Sequence, residues 1–263
     1  MKKTISLFAF VTLITTFQYA QITPQQAGTL HNEILSYADS RMNPADPNSL
    51  EVVKAEAIRV LQTFTSPTVP SFTIGSEVSQ VINQTCDGYS SGVTVFITNY
   101  INRSRNYLAD ASANNKLHPE EVELFNQLLD AISNNLTNEE NMMNAIENVK
   151  SALESANLNE ANHEGYLTAI TISVAENSSL FWANYGSGGG GGHRIKTNKI
   201  LSMLVPAWVA ADAVGAAIGG LSSIWSDYSN GNDINWGNAG GQAVLWGAGA
   251  SIPSTRWFKK LVP

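Results

Sequence analysis

Residues 207–223 read AWVAADAVGAAIGGLSS, and their small residues recur with a regular spacing. They occupy every fourth position, at Ala207, Ala211, Gly215, Gly219 and Ser223. A step of four keeps these residues on one narrow stripe of an α-helix. Such a stripe allows a second helix to approach closely, as between membrane helices. The spacing therefore predicts a glycine-zipper helix that packs against a partner helix.

A second stretch with the same spacing follows a polar turn. Residues 226–233, SDYSNGND, have the composition of a turn. After it, small residues again stand four apart at Ala239, Ala243, Gly247 and Ser251, and Gly237 and Gly241 form a second pair. We therefore expect residues 200–263 to contain a Gly/Ala/Trp-rich helical hairpin.

The hairpin segment is poor in charge and rich in tryptophan. Residues 200–255 contain no Lys or Arg, and their only acids are Asp212, Asp227 and Asp233. Tryptophan favours membrane interfaces, because its ring is apolar and its N–H is polar. Five of the six tryptophans lie in residues 208–263, at Trp208, Trp225, Trp236, Trp246 and Trp257.

Three interpretations of the segment stay open. Residues 200–225 are long enough to span a bilayer at about 1.5 Å per residue. An aspartate at mid-membrane costs on the order of 3 kcal/mol on insertion scales, so Asp212 opposes insertion. The hairpin could enter a membrane or bind partner helices, and it could also associate into a homo-oligomer. Alternatively, it packs in water on the acidic bundle, or the segment is a disordered tail.

Residues 21–185 are predicted to form an acidic bundle of six or seven helices, which makes the chain all-α. Apolar residues recur at steps of three and four, and Asn48 or Ser49 can cap the second helix. Gly88 is expected to end the third helix before the next helix begins. Thr137 and Glu140 match a capping box. The β-branched run 168–174 could be a helix or a strand.

Charge and composition divide the chain further. Residues 21–187 hold 19 acids and 7 bases, whereas residues 188–263 hold 3 acids and 6 bases. Residues 186–199 include five consecutive glycines and are predicted to be a flexible linker. The net charge of −7 argues against a nucleic-acid partner, which needs a basic face.

Residues 1–20 have the pattern of an export signal. Lys2 and Lys3 precede the apolar stretch 5–17, and Ala20 is a small residue suited to cleavage. The chain is therefore expected to be periplasmic, in the cell envelope or secreted. The lone Cys86 cannot form an intrachain disulfide and is expected to be a buried free thiol.

No motif predicts a catalytic, cofactor or metal site. His31 is expected at a helix surface or cap, although it could join Glu33, Asp39 or Asp46 in an acid–base or metal group. His118 lacks the second histidine of a helical zinc motif, and His163 is adjacent to Glu164. An enzyme would require histidines from separate segments to converge in one pocket, so a non-enzymatic protein is expected.

The stretch AADAVGAAIGG, residues 210–220, resembles the Gly/Ala-rich helical hairpins of bacteriocin-like exported bacterial proteins. The stretch LHNEILSY, residues 30–37, is similar to the opening of such proteins. The chain departs from peptide bacteriocins, since the whole predicted bundle lies between its export signal and its glycine run. The resemblance implies a membrane-active or toxin-like hairpin. The alternative is a cell-envelope structural or interaction module.

Overall fold

The computed structural model describes residues 21–187 and 199–255, and this part of the chain is all-α as predicted. Seven helices precede the hairpin, which agrees with the expected six or seven. The helices are α1 Pro24–Arg41, α2 Leu50–Leu61, α3 Glu77–Tyr89, α4 Val93–Ala113, α5 Pro119–Ser133, α6 Glu139–Ser155, α7 Tyr166–Ser187, α8 Lys199–Ser229 and α9 Trp236–Ser251. The predicted export signal, the glycine run and Trp257 lie outside the described residues.

Local capping explains where several helices begin. The Oγ of Ser49 accepts a hydrogen bond from the Val52 N–H, so Ser49 rather than Asn48 caps α2. The imidazole of His118 caps α5 in the same way, and Pro119 follows as the first helical residue. The expected capping box at Thr137 is wrong. Asn138 is the cap of α6, because its side chain accepts from the Asn141 N–H.

Two further local expectations are decided by backbone conformation. Gly88 does not end the helix, since it lies inside α3. The interruption between α3 and α4 includes Gly92, whose φ of +97° is accessible to glycine and strained for other residues. The β-branched run 168–174 is helical within α7, because its side chains are buried on several sides in the protein interior. Packing here outweighs the β preference of Thr, Ile and Val.

The α8–α9 pair, hereafter the hairpin, lies at the centre of the described structure. It makes the most extensive helix–helix contact of this part of the chain. Helices α4 and α7 pack against α8, while α1, α3 and α7 pack against α9. The acidic helices therefore surround the hairpin on several sides. One core connects both parts of the sequence, and it includes the predicted buried thiol of Cys86.

Candidate functional site: the central hairpin and its buried polar cluster

The zipper positions place the two hairpin helices in close contact. A Cβ added at Gly215 would lie 2.6 Å from the carbonyl oxygen of Trp246, and one at Gly219 would lie 2.5 Å from that of Gln242. Gly247 faces the carbonyl oxygen of Asp212 from the other helix, at 3.1 Å from its added Cβ. These distances leave no room for a side chain at the first two positions. The backbones of α8 and α9 therefore approach through their glycines.

The other predicted zipper residues lie along the same two helices. Ala211, Gly237 and Gly241 are buried, Ser223 is 7% exposed, and Ala207 is partly buried. The Oγ of Ser223 accepts a hydrogen bond of 2.9 Å from Nδ2 of Asn238, which joins α8 to α9. The stripe is thus occupied by contacts within one chain.

The hairpin tryptophans contact aromatic side chains of the surrounding helices. Trp208 lies 4.5 Å, between ring centroids, from Trp182 of α7. Trp246 lies 6.2 Å from Tyr100 of α4. These rings are almost fully buried, so they face protein and not solvent.

The two tryptophans nearest the turn are more accessible. Trp225 is 41% exposed and lies 5.8 Å from the Tyr107 ring. Trp236 is partly buried, and its ring centroid lies 5.3 Å from that of the tilted His163 imidazole. The hairpin therefore has its exposed aromatic surface close to the connecting turn.

A polar cluster interrupts the apolar centre around the carboxylate of Asp212. The Oγ of Ser178 donates to its Oδ2 at 2.5 Å, and Nε1 of Trp182 donates to the same oxygen at 3.2 Å. The Oγ of Ser251 donates to Oδ1. These side chains and His31 are all fully buried, and we call them the Asp212 cluster.

His31 completes the cluster from α1, which corrects its expected position at a helix surface. Its Nδ1 lies 2.9 Å from Oδ1 of Asn32, whose amide nitrogen donates to the carbonyl oxygen of Asn177. Because the Asn32 oxygen accepts, Nδ1 carries the proton. The Nε2 atom lies 3.4 Å from Oδ2 of Asp212 and makes no hydrogen bond to the described residues. The imidazole of α1 therefore lies directly against the buried carboxyl group of α8.

The Asp212 cluster joins four helices but lacks the geometry of a nucleophilic site. Both serines donate to the carboxylate and not to the imidazole, so His31 cannot take a proton from either hydroxyl. The cluster is also closed to solvent. Its four contributing helices are α1, α7, α8 and α9, so its chemistry fixes the hairpin to its surroundings.

The remaining histidines lie apart from this cluster. His163 hydrogen-bonds Gln21 and lines an open groove of about 560 Å³ beside Tyr166. His118 caps α5. A hydrogen bond from the Asn159 N–H lowers the pKa of the Glu164 carboxyl, with smaller contributions from the Asn162 side chain and from His118. Within residues 21–187 and 199–255, no three His, Cys, Asp or Glu side chains are placed to hold a metal ion.

Glu121 is a buried carboxyl that sequence analysis did not single out for its burial. It is 1% exposed, and its Oε1 has no hydrogen-bond partner among the described residues. Burial raises the pKa of Glu121 to about 7, against the smaller opposing effect of a hydrogen bond from the Gly165 N–H. Removal of its proton is therefore unfavourable in the folded protein.

This raised pKa predicts a loss of stability as pH increases. Between the ordinary pKa near 4.5 and about 7, the unfolded chain releases the Glu121 proton while the folded chain keeps it. The contribution of Glu121 to the free energy of unfolding is therefore complete below about pH 4.5. It is lost as pH rises from there to about 7, and the loss is roughly 3 kcal/mol at about 1.36 kcal/mol per pKa unit. Urea unfolding should show Glu121→Gln gaining this amount relative to the native protein between pH 4.5 and 8. The exposed Glu123→Gln should show no such gain, and an equal pH profile for native and Glu121→Gln would contradict the prediction.

Comparison of the chain with family models, curated proteins and solved structures finds no match. The function must therefore be inferred from the hairpin and from the groups that hold it. One described helix, over Val205–Ser229, has the length and composition of a membrane span, and 89% of its most apolar window is buried.

Proposed function

We propose that this chain is an exported protein that carries a membrane-active, bacteriocin-like hairpin in its interior and transfers it to a lipid bilayer. The proposal rests on a difference between two surfaces of the hairpin, the contact between α8 and α9 and the surface that faces the other helices. Backbone and small residues make most of the inner contact, with part of the Trp246 side chain lying against Gly219. The Trp208 ring and the far side of the Trp246 ring face aromatic side chains of the surrounding helices.

The inner contact supports a hairpin that keeps its structure in lipid. Close approach at Gly215 and Gly219 gives van der Waals packing along the helices. Such packing does not require water, and membrane helices associate by the same means. The contact between α8 and α9 can therefore persist when the surrounding helices are exchanged for lipid.

The outer surface supports the same interpretation. In water, the Trp208 and Trp246 rings must be covered, and α7 and α4 supply aromatic partners for them. Acyl chains can cover the same surface, since burial of apolar area is favourable in either environment. The bundle then acts as a soluble carrier for the hairpin, and lipid or partner helices are its proposed targets.

Quenching of tryptophan fluorescence by brominated lipid tests this proposal. With phosphatidylglycerol vesicles, we expect bromines in the acyl chains to quench the purified exported protein by at least one third. The Trp246→Phe variant should lose part of that quenching, because Trp246 lies on the hairpin. The matched Tyr37→Phe variant changes an aromatic side chain of α1 that packs on Phe64, outside the Asp212 cluster, and should keep it. Absence of quenching in the native protein would contradict membrane transfer.

A second candidate function is a permanently folded, non-enzymatic module of the cell envelope. The Asp212 cluster favours it, because a buried polar network ties the hairpin to α1 and α7. In this case the hairpin never leaves the core, and surface residues of the acidic helices would bind a protein partner. The same fluorescence experiment separates the two candidates, since a permanent core gives no quenching by lipid.

A further inference from the structure

We propose that a surface at the turn end of the hairpin binds the headgroup region of an anionic bilayer while the chain is still folded. We call it the turn surface, and it consists of Tyr107 of α4 with Trp225 and Tyr228 of α8, bordered by Arg103 and Lys116. This inference rests on the proposed membrane transfer and names the part of the folded protein that meets lipid first. Binding there requires no opening of the core, because all five side chains are partly or fully exposed.

Aromatic rings form the centre of the turn surface. Among the described residues, the large apolar side chains that are exposed are Val95, Leu180 and Trp225. Trp225 differs from the other two because its ring centroid lies 5.8 Å from that of Tyr107, which makes an aromatic pair. Trp and Tyr favour the membrane–water interface, where the apolar ring leaves water while the polar group stays hydrated. The headgroup region of a bilayer therefore fits this pair.

Two cations border the aromatic rings. The Lys116 ammonium lies 5.9 Å from the ring centroid of Tyr228. Arg103 precedes Tyr107 by about one turn of α4, so these two side chains are neighbours on the helix. Neither cation makes an ion pair with a described residue, whereas four of the seven bases in residues 21–187 do. Both can therefore pair with lipid phosphate, and a basic side chain close to an anionic bilayer favours binding.

Three aspartates near the turn oppose this attraction only in part. Asp110 accepts a hydrogen bond from the Tyr228 hydroxyl, and Asp227 accepts one of 2.8 Å from the Asn235 N–H, so both are turned toward protein groups. Asp233 is exposed in the turn. At physiological salt, a Debye length of about 8 Å screens the more distant acids of the bundle. Binding is therefore decided by the turn surface and not by the net charge of −7.

The turn surface lies at the end of the hairpin that is farthest from the start of α8. Helix α8 runs from Lys199 to Ser229, and Trp225 lies near its end. The buried Trp208, near the other end of α8, packs on Trp182 of α7. Binding at the turn therefore leaves the buried contacts of the hairpin intact. Transfer into the acyl chains then begins from a protein that is already on the bilayer.

Vesicle flotation tests the turn surface, and quenching by bromines deep in the acyl chains tests transfer separately. With the purified exported protein and phosphatidylglycerol vesicles at about 0.15 M salt, we expect Trp225→Ser to lower the partition coefficient about tenfold, because the exposed ring no longer leaves water. The matched Leu180→Ser variant removes an exposed apolar side chain of α7 and should bind like the native protein.

Charge variants keep the proposal testable if Trp225→Ser does not fold. Lys116→Gln and Arg103→Gln should each lower the partition coefficient about fivefold, since each removes one cation that faces the anionic surface. Arg41→Gln is the matched control, because Arg41 is also exposed, lies over a tyrosine ring of α1 and makes no ion pair with a described residue. It should leave binding unchanged, whereas Asp233→Asn should strengthen it.

The two readouts separate the turn surface from membrane transfer. Flotation of the native protein that Trp225→Ser, Lys116→Gln and Arg103→Gln all leave unchanged would overturn the turn surface. If bromines deep in the acyl chains still quench in that case, membrane transfer stands and begins at another contact. If flotation responds to the variants as expected but these bromines never quench, the turn surface stands and the proposed transfer falls.

Discussion

Gly219→Ala is expected to lower the free energy of unfolding by about 2–3 kcal/mol through overpacking, although alanine is the better helix former. In a helix interior, alanine gains about 1 kcal/mol over glycine. Here the new methyl group would lie 2.5 Å from the Gln242 carbonyl oxygen and 2.7 Å from Cβ of Trp246. Contact this close to backbone forces the helices apart, which costs more than the propensity gain. Urea unfolding at constant pH measures the difference.

Gly247→Ala provides the matched control for that prediction. Its added Cβ would be 3.1 Å from the Asp212 carbonyl oxygen and 3.2 Å from Val174 Cγ1, so a shift of a few tenths of an ångström accommodates it. We expect a change of less than about 1 kcal/mol, because the propensity gain offsets the tighter contact. A Gly219→Ala protein as stable as the native one would contradict the close α8–α9 contact.

His31→Leu is expected to destabilise the protein by about 3 kcal/mol, because it removes the polar imidazole that faces the buried Asp212 side chain and the hydrogen bond from Nδ1 to Asn32. Asp212→Leu should cost a similar amount by leaving the imidazole and two serine hydroxyls without their acceptor. The double variant replaces both polar side chains with apolar groups. Its loss should fall short of the sum of the single losses by at least about 1 kcal/mol. Urea unfolding of all four proteins gives this coupling, and strictly additive losses would show that the two side chains do not interact.

The helical class could be predicted from the sequence because helix periodicity is a local signal. Apolar steps of three and four run through most of residues 21–185, and the small-residue spacing marks both hairpin helices. The exact end of α3 could not be predicted, because it depends on one backbone angle. A glycine at position 88 or 92 can end a helix, and only the positive φ at Gly92 distinguishes the two.

The pairing of His31 with Asp212 could not be predicted from periodicity, because the two residues lie far apart in the chain. One signal was nevertheless present in the sequence. Asp212 is the single acid within a long apolar stretch, and a buried charge requires a partner. This rule predicts that a polar side chain elsewhere in the chain contacts Asp212. It does not identify His31, because only the packing of α1 beside α8 brings the two residues together.

A reversible covalent link between the hairpin and α3 tests membrane transfer most directly. A Cβ added at Gly249 would lie 3.8 Å from Cβ of Val81. This separation is typical of the two Cβ atoms in a disulfide. Val81→Cys with Gly249→Cys, made in a Cys86→Ala background, should therefore form a bond that holds α9 to α3. We expect brominated phosphatidylglycerol vesicles to quench the reduced protein and to leave the oxidised protein unquenched. Equal quenching in both states would show that the signal does not require the hairpin to leave the bundle.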